Sequence, residues 1–283
     1  MLNITLSSGV HGNEQCAVLS TRIATAYFEH DKELVVRNIG PLNRRGLRDC
    51  VREVTDDPEP TNDLNRKFAP ASTEKLDDVN GITKYVKNMI QYADIVIDVH
   101  NSPACANTVL ISNNGFADRY VEHCNKHDIP FILWESNTNT IKKYAQSEHK
   151  VGITIELGGM GGMMHLTKII EEQLRFIVKV IESFRGEDTV SLQRFHERFY
   201  GERDLYFYPS DKMWQPVYAH SEGILDYLYD VGAEVKKGDV IATVRDDNND
   251  IDVVSPCNGW IAEIHDNLWV QLGDEFCHVQ PII

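Results

Sequence analysis

Apolar positions along the chain recur at two spacings, alternate and helical, and the order of those segments predicts the architecture. "NITLSS" reads as a short strand, "EQCAVLSTRIATAYFEH" carries apolar residues at helical spacing, and "ELVVRNIG" returns to a strand pattern. "TKYVKNMIQYA" reads as a helix running into "DIVIDVH", a strand rich in β-branched residues. "PFILWE" and "VGITIEL" are strand-like, and "MHLTKIIEEQLRFIVKVIESF" is a long amphipathic helix. This alternation predicts an α/β domain whose mixed, mainly parallel sheet is flanked by helices on both faces. Ligands of such sheets sit beyond the carboxyl ends of the strands. After "FRGEDTV" the pattern changes. From about Met213 short apolar runs are punctuated by glycine, asparagine and aspartate, notably "EGILDYLYDVGAEVKKGDVIATV" and "DVVSPCNGWIAEI", joined by the polar "RDDNND". A small C-terminal all-β domain follows, with the boundary between Arg185 and Lys212 and the domains taken as residues 1–190 and 191–283.

Composition narrows the function classes. With 283 residues, 42% hydrophobic and 25% charged, the chain has the make-up of an ordinary globular protein. A formal charge of −15 opposes binding to a phosphate backbone, so no nucleic-acid partner is expected. It also repels anionic ligands unless a site gathers cations locally. The cysteines Cys16, Cys50, Cys105, Cys124, Cys257 and Cys277 show no CxxC and no paired spacing, which predicts reduced structural thiols. No apolar run is long enough to span a bilayer, and a cleaved leader would remove the residues considered next, so a cytoplasmic protein without membrane partner is expected.

"SSGVHGNEQ" places His11 where the first strand ends and a helix begins, with Glu14 three residues on. In a first helical turn that spacing puts imidazole and carboxylate on one face. A metal needs a third ligand, and His100, closing "DIVIDVH", is the best candidate, with Asp98 two residues earlier to orient its ring. Two histidines and one carboxylate are a ligand set of catalytic zinc sites. Hydrolysis also needs a proton acceptor that does not ligate the metal. Glu156 in "VGITIELGGMGG" ends an apolar strand, where a carboxylate is costly without a task or partner. In "NDLNRKF", Asn65 and Arg66 offer an amide and a planar fork suited to a carboxylate. Spacing alone does not choose an oxyanion-stabilising cation among Arg44, Arg45, Arg48 and Arg52. His123, His127 and His165 show no comparable pairing, and "GGMGGMM" lacks the lysine and context of a phosphate loop.

Taken in order, "HGNE", "DLNR", "DVH" and "IEL" resemble the succinylglutamate desuccinylase and aspartoacylase family, relatives of the zinc carboxypeptidases. The resemblance implies one zinc ion per chain on His11, Glu14 and His100, Glu156 as general base and proton shuttle, and Asn65 with Arg66 on the substrate's carboxylate. It also implies an arginine nine residues after the asparagine of an "NP" turn, polarising the scissile carbonyl; counting from Asn43 gives Arg52, with Arg44 in place of the proline. The aspartoacylases' further arginine, ten residues before the catalytic glutamate, is Gln146 here, which leaves Lys142 or Lys143 as cations to take its place and does not favour N-acetylaspartate. The C-terminal segment resembles the barrel-sandwich hybrid of biotin and lipoyl carriers without the modified lysine. That implies a structural domain, one that narrows access to the site or mediates homo-oligomer contacts.

The expected function is therefore zinc-dependent hydrolysis of the amide of a small, carboxylate-bearing N-acyl amino acid. A metallocarboxypeptidase acting on short peptides would use the same residues, and a zinc-retaining binding protein would need no Glu156.

Overall fold

The run Ile95–Asn101 forms strand β3, and all seven of its residues are buried, as a strand covered on both faces by helices requires. The computed structural model describes residues 1–52, 63–68, 81–102, 106–112, 117–134, 139–158, 166–188, 191–192, 210–245, 249–264 and 269–283. Around β3 lie β1 (Leu2–Ser8), β2 (Leu34–Asn38), β4 (Thr108–Ser112), β5 (Phe131–Trp134) and β6 (Val151–Leu157), in the order β2-β1-β3-β6-β4-β5. Strands β1, β2, β3 and β6 are parallel, whereas β4 runs antiparallel to β6 and carries β5 parallel to itself. The sheet is mixed and mainly parallel, as the alternation predicts.

Helices α1 (Gln15–Tyr27), α4 (Ala117–Lys126) and α6 (Leu166–Glu182) enclose one core with Leu6, Ile97, Ile153, Ile177 and Phe184, and Ser20 Oγ donates to Gln173 Oε1 at 2.8 Å between α1 and α6. A second core holds Val96 against Val86 and Ile90 of α3 (Ile82–Ile90), and Ile141 and Tyr144 of α5 (Ile141–Ser147). Each such aliphatic side chain removed from water contributes about 1.5–3 kcal/mol. Helices on both faces leave the ends of the strands as the place for a site. Strand β4, α4, α5 and the six-residue α2 (Arg44–Asp49) are absent from the sequence reading, being short or too polar for periodicity to single out.

The C-terminal region folds as two four-stranded antiparallel sheets. One has the order β11-β10-β8-β13 and the other β7-β14-β12-β9. Their strands are β7 (Gln215–Tyr218), β8 (Gly223–Tyr227), β9 (Glu234–Val235), β10 (Val240–Arg245), β11 (Asp250–Val254), β12 (Gly259–Ile264), β13 (Trp269–Val270) and β14 (Glu275–Pro281). Val217, Leu225, Val244, Phe276 and Val279 fill the space between the sheets. The expected boundary at 190/191 and His165 fall in or beside stretches outside the described residues.

The edge strand β5 does not face solvent alone. Trp214 N–H donates to Leu133 O at 3.3 Å and Leu133 N–H to Gln280 Oε1 at 2.9 Å, while Leu110, Ile132 and Ala262 are buried together against Trp134, Trp214 and Trp260. Covering an edge in this way satisfies backbone groups that would otherwise template aggregation. Among the described residues no helix is long and apolar enough to cross a membrane.

Candidate metal and catalytic site

The site forms where β1, β3 and β6 end on the same side of the sheet. After β1 the chain turns at Gly9, whose φ of +63° favours glycine. Gly12 then lies so close to α2 that a Cβ would stand 1.9 Å from the Gly46 carbonyl carbon. This contact pins the His11–Glu14 turn, in which Glu14 N–H donates to His11 O at 3.3 Å. The pair was expected in a first helical turn. It precedes the helix instead: Glu14 caps α1 with φ −91° and ψ 57°, and the two side chains meet because the turn folds back.

His100 reaches the same point from β3. His11 Nδ1 lies 2.7 Å from Glu14 Oε1, and His100 Nδ1 lies 3.1 Å from Glu14 Oε2. The other nitrogen of each ring also faces a carboxylate, with His11 Nε2 3.1 Å from Asp63 Oδ1 and His100 Nε2 2.9 Å from Asp98 Oδ2. Ser7 Oγ donates to Asp98 Oδ1 at 2.7 Å. A neutral imidazole has one N–H, so when Nε2 donates outward Nδ1 turns a lone pair on Glu14. Lone pair against carboxylate is repulsive unless a proton or a cation stands between them.

The electrostatics follow from that crowding. Burial alone would push the His100 imidazolium down, but Asp98 and Glu14 outweigh it and hold it well above its ordinary range. His11 is raised in the same way, by Asp63 and Glu14 against burial. Burial would raise Glu14, yet the two histidines hold it down to about 2. Three buried side chains offering donor atoms within 4.8 Å of one another therefore fit a divalent cation, and theirs is the cluster of that kind among the described residues.

Glu156 lies beside this cluster because β3 and β6 pair in register, His100 opposite Glu156. Its Oε2 accepts from Ser102 Oγ at 3.2 Å, and burial pushes its carboxyl up to about 7 against the pull of His100. Asn65 follows Asp63 in a 3-10 turn, Leu64–Arg66, and its Nδ2 lies 3.2 Å from His100 Nε2. Arg66 stands 3.7 Å from Asp63 Oδ2, and Arg52 stands 3.6 Å from the same oxygen. The backbone of Arg52 is held by Asn43, whose Nδ2 donates to Arg52 O at 3.2 Å.

A cavity of about 180 Å³ is lined by His11, Glu14, His100, Glu156, Arg52, Asn65 and Arg66, and by Ser102, Trp134, Thr154 and Lys142 among others. Of Arg44, Arg45, Arg48 and Arg52, only Arg52 lines it. Arg45 and Arg48 approach Asp49 on α2. Gln146 and Lys143 do not line the cavity; the Gln146 amide donates to Gly152 O at 3.0 Å and Tyr120 Oη at 3.3 Å. Asp63 and Ser102, which no motif spacing singles out, also belong to the site. Asp63 opens the quoted "DLNR", and its contact with His11 across 52 positions has no local signature.

Residues 1–183 match the family described as succinylglutamate desuccinylase/aspartoacylase catalytic domain. The chain belongs to that family. Its members are deacylases. Residues 211–278 match the family described as biotin-requiring enzyme. No match was found among curated proteins. An aspartoacylase family protein from Mesorhizobium loti is 17% identical, with 100% of this chain and 86% of that one aligned at a TM-score of 0.69. The succinylglutamate desuccinylase/aspartoacylase of Rhodobacter sphaeroides is 18% identical, covering 100% and 85% at 0.65. The product-bound ectoine utilization protein EutE (DoeB) of Ruegeria pomeroyi is 18% identical, covering 99% and 85% at 0.64. At these identities the likeness is one of fold.

Proposed function

We propose that this chain is a zinc-dependent deacylase hydrolysing the amide of a small, carboxylate-bearing N-acyl amino acid. The observation that carries this reading is a buried set of two histidines and one carboxylate opening on the same cavity as Glu156. His11, Glu14 and His100 would hold one zinc ion per chain, with Asp63 and Asp98 fixing the ring tautomers that turn Nδ1 inward. Bound there, zinc supplies a Lewis acid that polarises a carbonyl and lowers the pKa of water towards ~7.

The remaining steps fall to this chain's own side chains. Glu156, with a proton affinity near neutrality and its carboxylate oriented by Ser102, accepts the proton of the attacking water and returns it to the leaving amine. Arg52 offers its guanidinium to the charge that develops on the carbonyl oxygen. Asn65 and Arg66 anchor the substrate's carboxylate. The free thiols Cys16, Cys50, Cys124, Cys257 and Cys277 fit a reducing, cytoplasmic setting.

The test combines metal content with a panel of N-acyl amino acids and unblocked short peptides. About one zinc per chain, its loss in His11→Ala, and amine release from the N-acyl substrates are expected. Glu156→Gln should lower kcat by ~10²–10⁴-fold while zinc stays bound. Full hydrolysis by Glu156→Gln would sink the mechanism, and cleavage of peptides alone would make the chain a carboxypeptidase.

A further inference from the structure

A second cavity, of about 620 Å³, lies at the carboxyl end of β2, between the loop 39–43 and the starts of α2 and α3. It shares no lining residue with the site above. Ile39 and Leu42 line it, both buried in the core that Val86 and Ile90 of α3 also fill, and Tyr85 lines it with 47% of its surface exposed. The loop is held before any ligand arrives. Leu42 N–H donates to Ser8 O at 3.1 Å, Asn43 N–H to Gly9 O at 2.7 Å, and Asn43 Oδ1 accepts from Gly46 N–H at 2.8 Å. Arg44 and Arg45, which the site above leaves unused, line this cavity instead, and both are exposed. The Arg44 guanidinium meets no carboxylate among the described residues, and Asp49, 3.9 Å from Arg45, is itself bound by Arg48 at 2.6 and 2.9 Å. The described lining includes no acidic residue, on a chain whose 43 acidic side chains outnumber its 28 basic ones. Gly81 caps the nine-residue α3 without a side-chain acceptor, so the positive end of that helix adds to the same field.

We propose that this cavity is a second binding site, taking a small organic carboxylate whose apolar body lies against Ile39, Leu42 and Tyr85 while Arg44 and Arg45 hold its charge. Planar guanidinium forks match the two oxygens of a carboxylate. On a chain of formal charge −15, a local pair of cations without acidic neighbours in the lining is what lets an anion approach. The aliphatic and aromatic lining sets the rest of the ligand. An inorganic anion would leave that surface uncovered, whereas a hydrocarbon group removes it from water. The inference is independent of the deacylase reading, because no residue of the hydrolytic site takes part.

Calorimetric titration of the full chain tests it with phenylacetate and hexanoate, each beside its neutral amide, and with inorganic phosphate. Both carboxylates should bind, with the amides and phosphate weaker by roughly tenfold or more. Arg44→Gln combined with Arg45→Gln, at two exposed positions, should abolish the preference for carboxylate over amide. Tyr85→Ala should weaken phenylacetate, and Arg66→Gln, in the hydrolytic site, should leave binding as it is. If neither carboxylate binds at millimolar concentration, the proposal fails. It fails equally if an amide or phosphate binds as well as its carboxylate competitor, or if the preference survives in the double variant. Loss of binding in Arg66→Gln would put the ligand in the hydrolytic site and overturn the second one. Should the double variant not fold, the wild-type ratios together with Tyr85→Ala and Arg66→Gln decide the matter.

Discussion

Glu14 is the residue on which the site turns, because one carboxylate faces the Nδ1 atoms of both histidines. Replacing Asp63 or Asp98 by Ala removes the acceptor that orients a ring, and zinc affinity should fall ~10–100-fold in a competition titration with a chromophoric chelator. Glu156 gives a second prediction. A base with a raised pKa is protonated as pH falls, so the acid limb of kcat/KM should drop at or below about 7, the bound cation moving it lower. His123, left without a role by its spacing, has one in stability. Its ring stacks on Phe184 at 4.4 Å and its Nε2 lies 2.9 Å from Ser183 Oγ, which itself donates to Val180 O. Nε2 therefore carries the proton. Burial, aided by His127 and Lys126, pushes this histidine down to about 4. The unfolded chain then binds the proton first, so its contribution is full above about 6.5 and is lost as pH falls towards 4. His123→Gln should flatten the loss of urea midpoint across that window.

At the scale of elements, two backbone contacts do what the motif letters only suggest. The glycine of "HGNE" lets the turn lie against Gly46, and the β3–β6 register sets His100 beside Glu156. Gly12→Ala should drive α2 away from the turn, lower stability by about 1–3 kcal/mol in urea unfolding and reduce bound zinc. Unchanged stability and zinc content would show that the approach is not required. Strands β3 and β6 were legible because long β-branched runs bury on both faces. Strand β4 was not, since its five residues sit between stretches with no periodic signal, and its antiparallel pairing to β6 depends on a partner far along the chain.

For the whole molecule, the C-terminal sheets complete the edge of the first domain. Trp134 lines the cavity and meets Trp214 edge-on at 6.3 Å, and Trp214 stacks on His278 at 3.8 Å. Trp214→Ala, at a half-buried position, should destabilise the chain by up to about 3 kcal/mol, read from urea unfolding followed by tryptophan fluorescence. It should also weaken substrate binding, because the wall it supports belongs to the cavity. Stability loss with unchanged KM would separate the domains functionally.

The α/β class, the change to an all-β region and the candidate side chains can be read from the order of residues, since periodicity, strand ends and turn residues are local properties. That Glu14 precedes its helix, that Arg52 of four arginines faces the cavity, and that Lys142 rather than Gln146 lines it emerge only in the folded chain. Those outcomes depend on strand register and on packing between segments distant along the chain, and no local pattern encodes either.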